Sequence, residues 1–516
     1  MRRVIATVVT AALSVTLAGC GGGTTSANNT AGVPAKGGDL VIVKALDSKS
    51  MDNTTTFDND SIWVFEQMME PLYTVNEDGR GVKPWLATSF TLSPDKLHYT
   101  FTLRKGVTFH NGQPMTSADV KFSIDQATKT KGGWEFINTA IKSVAAPTPD
   151  TVVVTTKYPW APLVADLSNF NNGIVPKDYA GMTSKQFYEH PVGTGPFKWD
   201  HWTKGSELKL VKNPNYWQSG KPSLDSVTWK PVPDDNTRTL QLQGGQAQIN
   251  EFPPFSSLGQ LKNSSTVQAT LFDSTKTDYL LFNHTAKPFN DVHARRAISL
   301  AIDREAIIKS VLFGNGKPAN SFMPPQVPYY DAATPGLKYD LTAAKAELAK
   351  STTPQGFTAT YLAAAGDVQD AAIAQILQGA VKPLGITIKI ENVDPATARA
   401  RQDKQDYQIT HSSWTMDIAD PDELVSFAVD PTTGAKSFYT GYSNKDVIDA
   451  THAAQKAFDP AVRQAKYTFI QKQAAEDAFM AFLYYSPYQW AYSKKVQGFK
   501  PYPTGNYHLE DVTLSK

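Results

Sequence analysis

The sequence predicts an α/β fold divided among two or three cores, and three observations predict it. Residues 358–362, 368–381 and 386–390 read as strand, helix and strand: a short apolar run, then Ile373, Ile376, Leu377 and Ala380 at helical spacing, then Ile386, Ile388 and Ile390 in alternation. That order is a βαβ unit, which places its strands parallel. Residues 97–104 alternate strictly, Leu97, Tyr99, Phe101 and Leu103 against His98, Thr100, Thr102 and Arg104, the pattern of a strand with one buried face. Finally, 516 residues exceed what one hydrophobic core accommodates.

In chain order, Arg2 and Arg3 come first, followed by an apolar run over 4–17 and the small pair Ala18-Gly19 before Cys20, the only cysteine. Charged, apolar, then small is the order of an export signal. The run is shorter than the roughly 20 apolar residues that cross a bilayer, the competing use of such a segment. Residues 17–20 resemble the bacterial lipobox, which implies cleavage before Cys20 and a lipid on its thiol. Residues 1–19 are therefore expected to be a lipoprotein signal peptide. Residues 20–37, rich in Gly, Thr, Ser and Asn, are expected to be a flexible tether. Losing Arg2 and Arg3 takes the net charge from +1 to −1, and so neutral a body excludes a nucleic-acid partner. No disulfide can form within that body, so its fold rests on burial. The 21 Tyr and 10 Trp suit both cores and a cleft that grips small molecules.

Residues 40–43 read as a strand and 61–70 as a helix stopped by Pro71. Asn111-Gly112 supplies a turn, and Thr116 with Asp119 a capping box for a helix to about 128. Gly193-Thr194-Gly195 is a tight turn and not a phosphate loop, because Pro196 has no N–H and no Gly-Lys-Ser/Thr follows. Residues 292–301 form an amphipathic helix, Asp303 caps a second that ends at Gly314, and Arg295, Arg296 and Arg304 read as a solvated face. After the βαβ unit, Pro395 opens a helix to about 405 and 407–411 is the next strand. The chain closes with a helix over 461–478, a strand over 479–485 and the stretch 490–499. Ligands of open parallel sheets bind beyond the carboxyl ends of strands, where Ser412, Ser413, Trp414, Thr415, Met416 and Asp417 emerge, followed by Asp420-Pro421-Asp422. The residues alone leave open whether these aspartates meet a ligand, cap a turn, or form the acid pair of a secreted hydrolase. His411 has no second histidine at ligand spacing, so no metal site is read. Nor is there a His-Glu-x-x-His, a Gly-x-Ser-x-Gly or a cysteine nucleophile in the body.

Four blocks carry a resemblance. Residues 103–112 (Leu-Arg-Lys-Gly-Val-Thr-Phe-His-Asn-Gly) with 116–123, residues 192–198 (Val-Gly-Thr-Gly-Pro-Phe-Lys), residues 212–217 (Lys-Asn-Pro-Asn-Tyr-Trp), and residues 279–283 through 288–289 to 295–305 are together similar to the signature of the family 5 extracytoplasmic solute-binding proteins. These are the oligopeptide, dipeptide and nickel receptors of bacterial ABC importers. The resemblance implies a two-lobed periplasmic-binding-protein-like fold of the large class with an extra domain, mixed sheets flanked by helices, and a ligand cleft between the lobes. Its expected boundaries are 38–70, 185–288 and 488–516 for lobe 1, 71–184 for the extra domain, and 289–487 for lobe 2.

The resemblance also implies a site. Peptide-binding members carry a Trp-x-x-Asp whose aspartate meets the peptide's free amine. Trp414 and Asp417 match it, making Asp417 the anchor and Trp414 a wall, with Ser413 and Thr415 beside them. Residues 50–59 resemble a Ser-Leu-Asp-Pro segment that reaches the cleft, which adds Phe57 and Asn59, although Asn53 stands where the family has proline. Tyr279, in the neighbouring landmark, completes the set. The implied protein is not an enzyme and uses no cofactor. It is a monomer, held to the membrane through lipid on Cys20, that captures a short peptide and passes it to permease and ATPase subunits. The same role for a sugar, nickel or haem-type chelate, a sensor's role, and the hydrolase stay as alternatives.

Overall fold

The computed structural model describes residues 34–35, 37–433 and 436–515. The expected signal peptide, Cys20 and the tether through residue 33, with residue 36, lie outside the described residues. Among the described residues no helix is long and apolar enough to cross a membrane.

Among the described residues the strands collect into two large sheets and three smaller ones of four, three and two strands. The first has seven strands in the order Val267–Phe272, Tyr488–Ser493, Ile249–Glu251, Asp39–Lys44, Ser226–Pro231, Glu207–Lys212 and Phe197–Thr203. Asp39–Lys44 runs parallel to both of its neighbours. Its Leu40 and Ile42 pack with Trp63, Trp229 and Trp490. The second sheet has six strands, Lys317–Pro318, Met480–Tyr485, Thr277–Phe282, Ile409–Trp414, Thr358–Ala364 and Thr387–Val393. Its neighbouring strands Met480–Tyr485 and Thr277–Phe282 are largely apolar and buried on both faces. Tyr279 and Leu281 face the helices Asp422–Val429, Lys445–Lys456 and Pro460–Glu476. Leu280 and Phe282 face Val292–Ala301 and Val368–Val381.

The expected βαβ unit is Thr358–Ala364, Val368–Val381 and Thr387–Val393, paired in parallel. Asp367 caps its helix by accepting from the Asp370 N–H at 2.9 Å. The alternating stretch is the strand His98–Leu103 of a four-stranded antiparallel sheet. Tyr99 and Phe101 face the helix Ser117–Lys129, where the Thr116–Asp119 capping box is formed. Gly193 and Gly195 lie against residues 67 and 68 so closely that a Cβ would fall 1.9 Å from the Met68 carbonyl oxygen and 2.4 Å from that of Gln67. The tight turn is a backbone-on-backbone contact.

Three expectations are corrected. The boundary of lobe 2 does not fall at 288: Thr277–Phe282 pairs with Ile409–Trp414 and Met480–Tyr485, so the chain leaves the first sheet after Phe272 and enters the second at Thr277. The return crossing lies between Tyr485 and Tyr488. The helix expected over 61–70 is Asn59–Phe65, with turns following it. Arg295 and Arg304 are not a solvated face, being 6% and 7% exposed. Arg295 donates to the carbonyls of Phe289, Asp477 and Ala478 at 2.7, 2.8 and 3.1 Å, and Arg304 to those of Phe482, Ser299 and Ile302 at 2.6, 3.2 and 3.3 Å. Burial pushes both guanidinium groups down to about 10. Each gathers three backbone carbonyls from separate segments, so a planar fork of donors serves there where an apolar side chain would not.

Candidate functional site

The strand Ile409–Trp414 is polar at its carboxyl end, where Ser412, Ser413 and Trp414 precede the turn to Asp417. That end opens on a cavity of about 240 Å³. Phe57, Asn59 and Ile62 line it from the amino-terminal segment, Trp134 from the region of the four-stranded sheet, and the second sheet and its helices supply the rest. Of the seven residues expected at the site, Phe57, Asn59, Ser413, Trp414, Thr415 and Asp417 line this one cavity. Tyr279 does not. It is 1% exposed, sits edge-on behind Phe438 with centroids 5.2 Å apart, and turns an unpaired hydroxyl into the core. A larger groove of about 790 Å³ lies between residues 184–190 and 199–204, but it takes nothing from the second sheet. The smaller cavity lies between the amino-terminal segment 57–62 with Trp134 on one side and the second sheet with its helices on the other.

Aromatic rings make its walls. Trp414 lies flat on Phe427 with centroids 4.3 Å and planes 26° apart, and meets Phe438 edge-on at 5.6 Å. From the opposite side Trp134 approaches Trp414 at 6.2 Å, and Phe136 approaches Phe427 at 5.7 Å. The two sides are therefore in contact across the cavity. Phe438 and Tyr439 have φ of 56° and 61°, a left-handed backbone that costs a side-chain-bearing residue on the order of 1–2 kcal/mol. The Tyr407 hydroxyl, donating to the Tyr439 carbonyl at 2.9 Å, helps to hold it.

The charges are unevenly paired. Asp417 is half-buried, and among the described residues its carboxylate has no cation and no hydrogen-bond donor. Burial holds this carboxyl well above the usual range, and the neighbouring acids Glu423 and Glu66 push it in the same direction. Asp420 and Asp422 are used internally. Asp420 forms a two-pronged ion pair with Arg463, both contacts 2.7 Å, and Asp422 accepts from Gln455 and Ser426 at 2.7 and 3.0 Å. Among the described residues the one guanidinium that lines the cavity is that of Arg399, which donates to the Tyr439 hydroxyl at 2.8 Å and pairs with Asp403 at 2.9 Å. His411 points its Nε2 at Asp278, 3.3 Å away. Among the described residues no cluster of potential ligands could hold a metal ion.

The amino-terminal loop keeps its path to the cleft without the expected proline. Asn53 donates to the carbonyls of Phe170 and Asn171 at 3.0 and 3.2 Å and accepts from the Tyr188 hydroxyl at 2.9 Å. Sequence reasoning missed Trp134, Phe427, Phe438, Tyr439 and Arg399. Only Phe427 carried a local signal, lying on an apolar helix just beyond the Trp-x-x-Asp turn.

The model of the bacterial extracellular solute-binding proteins, family 5 (middle), matches residues 81–436. The probable D,D-dipeptide-binding periplasmic protein DdpA of Escherichia coli K12 is 32% identical over 491 residues, covering 92% of this chain and 94% of that protein. Among solved structures, the periplasmic binding protein DppA of Helicobacter pylori in complex with the peptide STSA superposes with a TM-score of 0.84 at 28% identity, covering 93% of this chain and 99% of that one. AgaA of A. tumefacien R10 in complex with agropinic acid gives the same TM-score at 27% identity, again covering 93% and 99%. A two-lobed fold, an aromatic cleft between the lobes and a match through the middle of the chain agree: this chain belongs to the bacterial extracellular solute-binding proteins, family 5.

Proposed function

We propose that the protein is a lipid-tethered, extracytoplasmic receptor that closes over a short peptide and delivers it to an ABC permease. The observation that carries this reading is the unpaired carboxylate of Asp417 in a cavity lined by the amino-terminal segment and Trp134 on one side and by the second sheet and its helices on the other. An ammonium group entering that cavity loses water and needs an opposite charge, which Asp417 supplies. Arg399 lines the same cavity and offers a partner for the ligand's carboxylate. At about 240 Å³ the cavity falls below the roughly 300–1,000 Å³ common for ligand pockets, which favours a dipeptide-sized ligand. Relatives that bind peptides support the class, and closure by hinged lobes supplies the means of release.

Calorimetry with a free-amine dipeptide and its N-acetyl form tests the reading. Asp417→Ala is expected to cost about 2–5 kcal/mol of binding, or about one and a half to three and a half decades in Kd. N-acetylation weakens binding to the unmutated protein and adds almost nothing in Asp417→Ala, because both changes delete one interaction. Full additivity removes Asp417 as the amine's partner. Mass spectrometry of small molecules released on unfolding identifies the ligand independently, and a compound without a free amine overturns the peptide assignment.

A further inference from the structure

Glu423 opens the helix Asp422–Val429 and is 1% exposed, yet both of its oxygens turn back to the recognition turn. Oε1 accepts from the Trp414 indole N–H at 3.0 Å, and Oε2 from the backbone N–H groups of Asp417 and Ile418 at 2.9 and 3.2 Å. One helical turn later the same helix supplies Phe427, on which Trp414 is stacked. A single helix face thus holds the indole by its edge and by its plane, and one carboxylate ties that indole to the residue three positions on. The other charged groups about this pair are Glu66, from the end of the helix Asn59–Phe65, and Asp422, already engaged by Gln455 and Ser426. Tyr488, from the first sheet, is a further titratable neighbour of Asp417, and Arg399 of the cavity is held by Asp403. No cation neutralises Asp417 or Glu423 among the described residues.

We propose that Glu423 is the positioning residue of amine recognition: it fixes Trp414 and Asp417 against each other, and its charge beside Asp417 makes entry of an ammonium group expel a proton from the acid pair. This rests on the peptide-receptor reading above. The balance is simple. The three N–H donors on Glu423 favour its ionised form, so the proton of the empty pair sits on Asp417; the ammonium brings one positive charge, and the displaced proton passes to the buffer. Burial pushes Glu423 up to about 7 against the three N–H bonds that oppose it, and Asp417 is held higher than usual by the same burial and by Glu423. Near neutral pH the pair therefore has a proton to give.

The test titrates the unmutated protein and Glu423→Gln with a free-amine dipeptide and its N-acetyl form, at about pH 6.5, in two buffers of different ionisation enthalpy. Glutamine offers one carbonyl oxygen to three N–H donors, so part of the turn loses its hold. The unmutated protein is expected to release protons on binding the free-amine dipeptide. Glu423→Gln is expected to release fewer, and to lose at least tenfold in its preference for the free amine over the N-acetyl form. A residue that only supports the fold would weaken both ligands alike and leave the proton count unchanged, and that result overturns the proposal. If Glu423→Gln does not fold, Trp414→Phe keeps a six-membered ring to lie on Phe427 and deletes the indole N–H together with the fused pyrrole ring, a loss of wall area that falls on both ligands alike. A preference reduced at least threefold then supports the proposal, and an unchanged one overturns it. A dipeptide that fails to bind the unmutated protein overturns the peptide reading itself, and this proposal with it.

Discussion

The ring of Phe57 lies face to face on the indole of Trp134, with centroids 4.9 Å and planes 24° apart. The indole N–H donates to the Thr56 carbonyl at 2.8 Å, and the Trp134 backbone N–H donates to that of Thr54 at 3.1 Å. Gly133 permits this approach, since a Cβ there would sit 2.0 Å from the Thr54 carbonyl oxygen. The loop that reaches the cleft is thus held from the region of the four-stranded sheet. Trp134→Ala is expected to cost about 3–5 kcal/mol of stability and to weaken dipeptide binding as the loop is freed. Trp134→Phe keeps the stacking surface and should lose less of both. Urea unfolding and calorimetry on the same samples check the pair, and unchanged binding in Trp134→Ala removes the loop from the site.

Acidity acts on Glu66. Burial pushes this carboxyl up to about 7, opposed by His508 and by the Asn506 amide. An acid whose value is raised on folding holds a proton that the unfolded chain has already given up, so its ionisation works against the folded state. Stability is expected to fall as pH rises from about 4.5 to about 7 and to level beyond. Glu66→Gln should flatten that part of the Tm–pH curve. An identical curve in the variant assigns the slope to other groups.

The two-pronged pair of Asp420 and Arg463 ties the end of the recognition turn to the helix Pro460–Glu476. Breaking a buried pair by removing one partner costs about 3–5 kcal/mol, because the other charge stays buried and unpaired. Arg463→Met should show that loss in chemical denaturation. Replacing both residues with apolar ones of similar size should recover part of it, and a double variant no better than the single assigns the loss to packing.

Cys20→Ser is expected to abolish lipid attachment, leaving the protein released or uncleaved. Detergent-phase partitioning of the variant equal to that of the parent argues against the tether.

The fold was legible where a local pattern meets one neighbour. The βαβ unit has its periodicity written in 358–393, and Ser117–Lys129 its capping box. The Trp414–Asp417 turn was legible through the resemblance and its place at a strand's carboxyl end. Residues whose roles depend on distant partners were not legible. Trp134 follows two glycines in a stretch without periodicity, and nothing local says that it will lie on Phe57. Glu423 looks like any acid in a first helical turn until the turn folds back over it. Arg295 and Arg304 sit at spacings that suit a solvated face, and only the carbonyls of Phe289, Ser299, Ala478 and Phe482 around them reveal an interior use. The shift of the lobe boundary has the same origin, since an apolar strand such as Thr277–Phe282 suits either sheet and its hydrogen-bond partners decide.

The two crossings between the large sheets are neighbours. One ladder stops at the pair Phe272 and Tyr488, and the next begins at Thr277 and Tyr485. A single two-stranded ribbon thus runs from one sheet into the other, its rungs missing over residues 273–276 on one arm and 486–487 on the other. Within the gap, the Ser274 hydroxyl binds the Ser486 carbonyl and cross-ties the arms. With no ladder rung over the gap, the ribbon has its fewest cross-links where it passes between the sheets. A lobe swinging on it would part Phe57 and Trp134 from Trp414, Phe427 and Phe438 together. Asp417 and Arg399 line one cavity, so that one swing would uncover both together.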